Sequence, residues 1–308
     1  MNRITVVGSL NIDTTLQVNS FPLPGETVKA LNKSSTAGGK GANQAVAAAR
    51  SGAKVYFIGK VGDDQQGKFL IEALKEEKID VSSIKLEKRI GTGTANIILD
   101  KNGQNSIVVY GGANGHLDSL DINQEENKII NSDFIIAQFE TPQKATKEVF
   151  KLAHKYGKKT ILNPAPANRI DTELLGLTDI IIPNEFESSE ITGIKVKDFK
   201  SMQENSRKFH NFGVKATIIT LGNKGVFYSF NDEEKVVPAE KVSVIDTTAA
   251  GDTFIGAFGA KLNLTMNNFT SAIDYAQKAS ALTIQRLGAQ VSIPTLLEIK
   301  NKFKENFK

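Results

Sequence analysis

Short apolar, β-branched runs alternate along the chain with amphipathic windows of helical period. Val55 to Ile58, Phe134 to Ala137, Thr160 to Leu162, Asp179 to Ile182 and Ala216 to Thr220 read as buried strands. Between them Gln66 to Glu77, Pro142 to Tyr156 and Asp198 to Phe212 read as helices, with Pro142 suited to a first helical turn and Gly157 to a C-terminal cap. This rhythm predicts an α/β protein with a mostly parallel sheet covered by helices.

Two stretches break the rhythm. Residues 12–36 and 92–110 alternate in strand fashion without helices, and the second contains Ile97-Ile98-Leu99-Asp100-Lys101-Asn102-Gly103, a hairpin turning at its Asn-Gly pair. Alike in character, the two segments predict one small antiparallel sheet projecting from the large domain. Its exposed face and edges need a cover, so it would serve as a lid or as a dimer surface.

Composition narrows the class. With 308 residues, 40% of them apolar and 23% charged, the chain can bury a large core, and 1–308 reads as a single domain without repeat, low-complexity tract or long linker. The net charge of +4 comes from scattered Lys and Arg and from Lys300-Asn301-Lys302-Phe303-Lys304, the solvated face of a last helix. No basic stripe interleaved with aromatics marks a nucleic-acid partner. The absence of cysteine excludes thiolate catalysis, disulfides and Cys-ligated zinc, and it fits a reducing compartment. The start runs into a short strand, Ile4 to Val7, and no stretch approaches the roughly 18 apolar residues of a membrane span, so a cytoplasmic protein with no membrane partner is expected. His116, His154 and His210 stand far apart without a metal-binding spacing and read as surface or packing residues.

The densest chemistry is Asp246-Thr247-Thr248-Ala249-Ala250-Gly251-Asp252-Thr253-Phe254, between a strand-like run, Val242 to Ile245, and a helix beginning near Gly251. Small residues at such a turn let backbone amides face an anion, with Asp252 at the rim to accept a proton from an attacking hydroxyl; a plain helix cap is the alternative reading of that Asp. A second segment, Gly38-Gly39-Lys40-Gly41-Ala42-Asn43-Gln44, precedes an Ala-rich helix, Ala45 to Ser51, and lacks Walker A spacing. Its glycines permit close backbone approach to a ligand, or simply form a tight turn. Asn11 and Asp13 lie just past strand one and, by alternation, on one side; with Lys40 and Asn43 they would bind several hydroxyls, as of a polyol or sugar. Glu140 and Asn184 also follow strands, and Asn184 with Glu187 could hold metal-bound water and phosphate oxygens or merely cap a helix. Thr220-Leu221-Gly222-Asn223-Lys224-Gly225 offers small residues to a flat base or a phosphate, or a glycine turn.

Together these segments, with Pro24-Gly25-Glu26, Asn163-Pro164-Ala165-Pro166-Ala167, Pro183-Asn184-Glu185 and Gly288-Ala289-Gln290, resemble the ribokinase pattern of the PfkB-type carbohydrate kinases, from strand one to about Pro294. The resemblance implies a three-layer αβα sandwich with a β-sheet lid, a homodimer through the lids, and phosphorylation of ribose on O5 with ATP and Mg²⁺. It implies Asp252 as the base and Ala249, Ala250 and Gly251 as the anion hole. Asn11, Asp13, Gly39, Lys40, Asn43 and Glu140 would contact the sugar. Asn184, the loop Thr220, Leu221, Gly222, Asn223, Lys224 and Gly225, and Gln277 would contact ATP, with Glu187 acting through magnesium-bound water. Asp246, Thr248, Thr283, Arg286, Gly288 and Ser292 would hold a monovalent cation such as K⁺, mostly through carbonyl oxygens. Many family members carry Gly where this chain has Ala249. Rival readings are a sister kinase for 2-deoxyribose, another pentose or a nucleoside, and a non-catalytic sugar or nucleotide sensor, which an intact Asp252 disfavours.

Overall fold

The computed structural model describes residues 1–304; the reading of 1–308 as one domain includes 305–308, which lie outside the described residues. In chain order the strands are Arg3–Val7 (β1), Asn11–Gln17 (β2), Asn32–Gly38 (β3), Lys54–Gly62 (β4), Asp80–Glu87 (β5), Gly93–Leu99 (β6), Asn105–Tyr110 (β7), Phe134–Ala137 (β8), Lys159–Leu162 (β9), Ile180–Ile181 (β10), Ala216–Thr220 (β11), Val226–Phe230 (β12) and Glu233–Val237 (β13). The α-helices are Lys40–Arg50 (α1), Gln65–Glu76 (α2), Ser119–Gln124 (α3), Glu126–Ile130 (α4), Gln143–Lys155 (α5), Thr172–Gly176 (α6), Glu185–Thr192 (α7), Phe199–Asn211 (α8), Ala250–Lys261 (α9), Phe269–Thr283 (α10) and Leu296–Phe303 (α11).

Nine strands form one sheet in the order β13-β12-β11-β10-β9-β8-β1-β4-β5, parallel from β11 to β5 and antiparallel at the β12 hairpin. Alternation along the central strands sorts side chains to two cores. Ile4, Val6, Phe134 and Ile136 meet α1, α9 and α10 on one face, while Val7, Ile135 and Ala137 meet α5 and α8 on the other. The result is a helix–sheet–helix sandwich.

The other four strands form a second sheet in the order β3-β2-β6-β7. Its hairpin turns at Asn102-Gly103, where Gly103 takes φ 79° and Asp100 accepts from the Asn102 and Gln104 amides. The expected all-antiparallel pairing is corrected: β2 runs parallel to β6. Both strands follow short connections from the carboxyl end of the large sheet, β2 from β1 and β6 from the parallel β5, so both are launched in one direction.

Other expectations shift. Residues 242–245 form no strand; beyond β13 the chain leaves the sheet, and the amides of Ile245 and Asp246 bond instead to the Ile284 carbonyl after α10. Helix α1 begins at Lys40 rather than Ala45, placing Lys40, Asn43 and Gln44 on the helix itself. Asn11 and Asp13 belong to β2, Pro142 is the N-cap of α5 rather than in its first turn, and the 179–182 strand shrinks to Ile180–Ile181.

Candidate active site

The carboxyl ends of β1 and β8, the N-terminus of α1 and the base of the second sheet converge where ligands bind in open α/β sheets. Asp13 lies over Gly38, where an added Cβ would stand 2.0 Å from its Oδ2, and Asn11 lies beside Gly93, where a Cβ would stand 2.3 Å from its Oδ1. Gly39, at φ 92°, would press a Cβ to 2.8 Å from the Asn11 amide. These glycines leave room for two polar side chains that point out of one strand face.

Glu140 ties the cluster together. Its Oε2 accepts from the Ser9 hydroxyl at 2.5 Å, from the Lys40 amide at 3.1 Å and from Asn11 Nδ2 at a longer 3.5 Å. The Ser9 hydroxyl in turn accepts from the Gly41 amide at 3.2 Å. Asn114, fully buried, donates to Asn11 Oδ1 at 2.8 Å and exchanges hydrogen bonds with the Leu10 backbone. Ser9 lies between strand one and Asn11, but only the fold shows its hydroxyl facing Glu140; Asn114 carries no local signal in the sequence.

Asp252 lies in the first turn of α9 and is buried. The N-cap position belongs to Ala249, in the left-handed conformation at φ 59°, with no side-chain cap, so the helix-cap reading of Asp252 fails. Its carboxylate faces α1 instead, where Asn43 Nδ2 donates to Oδ2 at 3.1 Å and Gln44 Nε2 to Oδ1 at 2.9 Å. The two helices meet closely because Gly256 is bare: a Cβ there would lie 2.2 Å from the Gln44 carbonyl.

Charge concentrates around Lys40. Burial pulls its ammonium down, but Asp252, Glu140, Glu187 and Asp13 outweigh that and hold it above the ordinary lysine range. Asp13 is pushed up to about 7, by burial first and then by repulsion from Glu140 and Asp252, against the pull of Lys40. Burial also raises Glu187, opposed by the Asn184 amide and Lys40.

Two clefts open on either side of the α9 N-terminus, both touching Thr220, Gly222, Thr247, Ala250 and Gly251. One, of about 490 Å³, is polar and includes Lys40, Asn184, Glu187, Ala249 and Asp252. The other, of about 610 Å³, is mostly apolar and includes Asn223, Gly225, Val242, Val244, Phe254 and Gln277. Asn184 and Glu187 do form a reciprocal capping box on α7, with Glu187 Oε2 accepting from the Asn184 amide at 2.9 Å, yet both also line the polar cleft. Leu221 departs from expectation, since its side chain packs with Ile219 and Phe227 in a small core and lines neither cleft. Lys224 also lines neither and pairs with Glu185 at 3.3 Å from an exposed position. Gln277 lines the apolar cleft and donates to the Pro238 carbonyl at 3.1 Å.

The residues expected around a monovalent cation occupy the segment before α9 and the last residue of α10 with the loop after it, which are stitched together. Asp246 Oδ2 accepts from the Gly288 amide at 2.9 Å, and its Oδ1 from the Thr248 amide and hydroxyl at 2.9 and 2.7 Å. The side chains of Thr283, Arg286 and Ser292 are engaged with Thr253, Glu298 and the Ala289 carbonyl. Among the described residues no three His, Cys, Asp or Glu side chains group as a metal site, and no helix is long and apolar enough to cross a membrane.

A family description, pfkB family carbohydrate kinase, matches residues 1–296. The ribokinase of Staphylococcus aureus is 44% identical over 97% of this chain and 98% of its own length. The bifunctional ribokinase/ribose-5-phosphate isomerase A of Fructilactobacillus sanfranciscensis is 48% identical over 98% of this chain, which spans only 56% of that protein. The Arabidopsis thaliana ribokinase, solved in complex with ribose and ATP, superposes with a TM-score of 0.93 at 32% identity, covering 99% of each chain.

Proposed function

The chain belongs to the pfkB family of carbohydrate kinases, and from that premise we propose that it transfers the γ-phosphoryl group of ATP to O5 of D-ribose, giving D-ribose 5-phosphate. One observation carries the reading: Asp252 stands where a cluster of hydroxyl-binding side chains meets a polar cleft at a helix N-terminus. Asn11, Asp13, Lys40, Asn43, Glu140 and the Gly39 backbone hold the sugar. Asp252 accepts the proton of the 5-hydroxyl as its oxygen attacks the phosphorus. The amides that begin α9 stabilise charge on the transferring group, and the apolar cleft takes the adenine. Positioning and electrostatics then supply most of the acceleration.

A divalent ion suits the oxygen donors at the polar cleft, where Asn184 and Glu187 would hold Mg²⁺ through water; when bound it neutralises phosphate charge. K⁺ suits the paired loops around Asp246 and Gly288, where Asp246 is already engaged with the Gly288 amide and the Ile284 carbonyl faces the Asp246 segment. The second sheet acts as the lid over the sugar. Its outer strand β7 leaves Ile107, Val108, Val109 and Tyr110 more than half exposed, a face suited to a second copy of the chain. A cysteine-free chain suits the cytoplasm.

A kinase assay over ribose, 2-deoxyribose, fructose and adenosine tests the substrate. Buried groups built around a hydroxyl are left unpaired when it is missing, so 2-deoxyribose should lose up to about 10⁴-fold in kcat/KM. Equal kcat/KM for the two pentoses would move the assignment to a deoxyribose kinase.

A further inference from the structure

Asp252 is held by a chain of buried amides whose orientation the fold dictates. Gln44, on α1, and Gln138, just past β8, are fully buried, and Asn163, just past β9, is buried with them. Asn163 Nδ2 donates to the Ile182 carbonyl at 3.0 Å. A backbone carbonyl can only accept, so the Asn163 amide cannot turn round, and its Oδ1 must face Gln44. Gln44 therefore presents its NH₂ to both Asn163 Oδ1, at 3.2 Å, and Asp252 Oδ1, at 2.9 Å. Its Oε1 accepts from Gln138 Nε2 at 2.7 Å, where the chain ends on a Gln138 Oε1 that has no partner. Gln44 is thus committed as a donor to Asp252 and touches neither cleft.

We propose that Gln44 is the positioning residue of the proton acceptor: clamped between Gln138 and Asn163, it pins Asp252 Oδ1 and so turns Oδ2 toward the incoming hydroxyl. Asn43, the donor to Oδ2, reaches the same carboxylate from the next position of α1, but its Oδ1 has no partner. Held by that one side-chain bond, Asn43 can exchange it for one to a sugar hydroxyl, whereas Gln44 makes three and cannot turn without stranding Asn163 and Gln138. The carboxylate thereby keeps one fixed and one exchangeable contact, as a proton acceptor requires. A misplacement of about 1 Å at a reacting group costs on the order of 10²-fold. The proposal rests on Asp252 being the proton acceptor.

Gln44→Met keeps the shape of the side chain and removes both ends of the clamp. Among folded molecules it should lower kcat by about 10²-fold while KM for ribose and ATP stays within about threefold, because the loss falls on the transition state. A double-mutant cycle separates positioning from packing. In an Asp252→Asn background Gln44→Met should lower kcat no further than about twofold, since there is no base left to position. Multiplicative losses in the cycle, or wild-type kcat in folded Gln44→Met, would overturn the proposal. If Gln44→Met does not fold, Gln44→Glu carries the same measurement: it retains the shape and the acceptor for Gln138 but sets an oxygen where the donor to Asp252 was. Near wild-type turnover by Asp252→Asn itself would refute the proton-acceptor assignment; an inactive Asp252→Asn with an unaffected Gln44 variant would refute only the clamp.

Discussion

Asp252 sits at the start of a helix that it does not cap, so its burial is explained by its partners on α1 rather than by local backbone needs. Asp252→Asn should therefore fold. Its new amide can pair with Asn43 Oδ1, which has no partner at present, after a flip of that side chain. Stability should change by no more than about 1 kcal/mol while kcat falls about 10²- to 10⁴-fold, measured by urea denaturation and steady-state kinetics; an active variant would remove the base from the mechanism. Asp13 gives a second prediction at this scale. Its carboxyl is raised from 3.8 to about 7 in the folded chain, so between those values the folded form holds a proton that the unfolded form has lost. Its contribution to stability therefore falls as pH rises through that window and levels off above about 7. Sugar hydroxyls donating to Asp13 favour its ionised form, so ribose binding should release a proton below about pH 7, and affinity should weaken by up to about tenfold per unit of acidification. Calorimetric titration near pH 6 in buffers of differing ionisation heat reads that proton directly. Buffer-independent heats, or a pH dependence that survives Asp13→Asn, would show that Asp13 does not titrate with the sugar.

Between elements the decisive contact is α1 against α9. Small residues line it: Ala47 and Ala48 on one side, Gly256 on the other, where a Cβ would meet the Gln44 carbonyl at 2.2 Å and Ala47 Cβ at 2.7 Å. The same approach brings Asn43 and Gln44 within hydrogen-bond reach of Asp252. Gly256→Ala should force the helices apart and destabilise the fold by about 1–3 kcal/mol. It should also lower kcat per folded molecule, because the contacts to Asp252 stretch when the helices separate; a purely thermodynamic loss with unchanged kcat would show that the site tolerates the shift. The helices themselves are legible in the sequence as an Ala-rich run after Gly38, Gly39 and Gly41 and an apolar run near Gly251, although α1 begins at Lys40, five residues before the Ala-rich run. What was misread follows from pairing rather than propensity. Val242 to Ile245 has the composition of a strand, yet nothing in those four residues tells that the sheet has already ended at β13 and that α10 will hold their amides. The parallel pairing of β2 with β6 is set by where β1 and β5 release the chain, a property of the large sheet and not of either segment.

Across the whole molecule, the site is assembled from residues as far apart as Ser9 and Gln277, and the same physical distinction governs what could be read in advance. Residues in motifs whose spacing already implies a turn and a helix, such as Lys40, Asn43, Ala249 and Asp252, were visible. Residues that act by meeting a distant partner, such as Ser9 on Glu140 and Asn114 on Asn11, have no local pattern and emerge only when β1, β8 and the second sheet close on one another. The loops that flank α9 show the same long-range dependence. The 238–249 segment lines the apolar cleft through Val242 and Val244, carries Ala249 in its left-handed turn, and is fastened to the loop after α10 by Asp246 and Gly288 and by the Ile284 carbonyl. A cation held by carbonyls of the two loops would fix at once the wall of the apolar cleft and the direction of the amides that begin α9. Activity should then depend on a small monovalent cation. In a buffer containing only a bulky organic cation, kcat should fall and KM for ATP rise, with K⁺ restoring both. Asp246→Asn removes the charge and keeps an acceptor for only one of the Gly288 and Thr248 amides, so it should raise the K⁺ concentration needed for half-maximal rate more than it lowers the maximal rate. Full turnover without K⁺ or NH₄⁺, or an Asp246→Asn variant with unaltered K⁺ dependence, would take the cation out of these loops and leave Asp246 as a fastener between them.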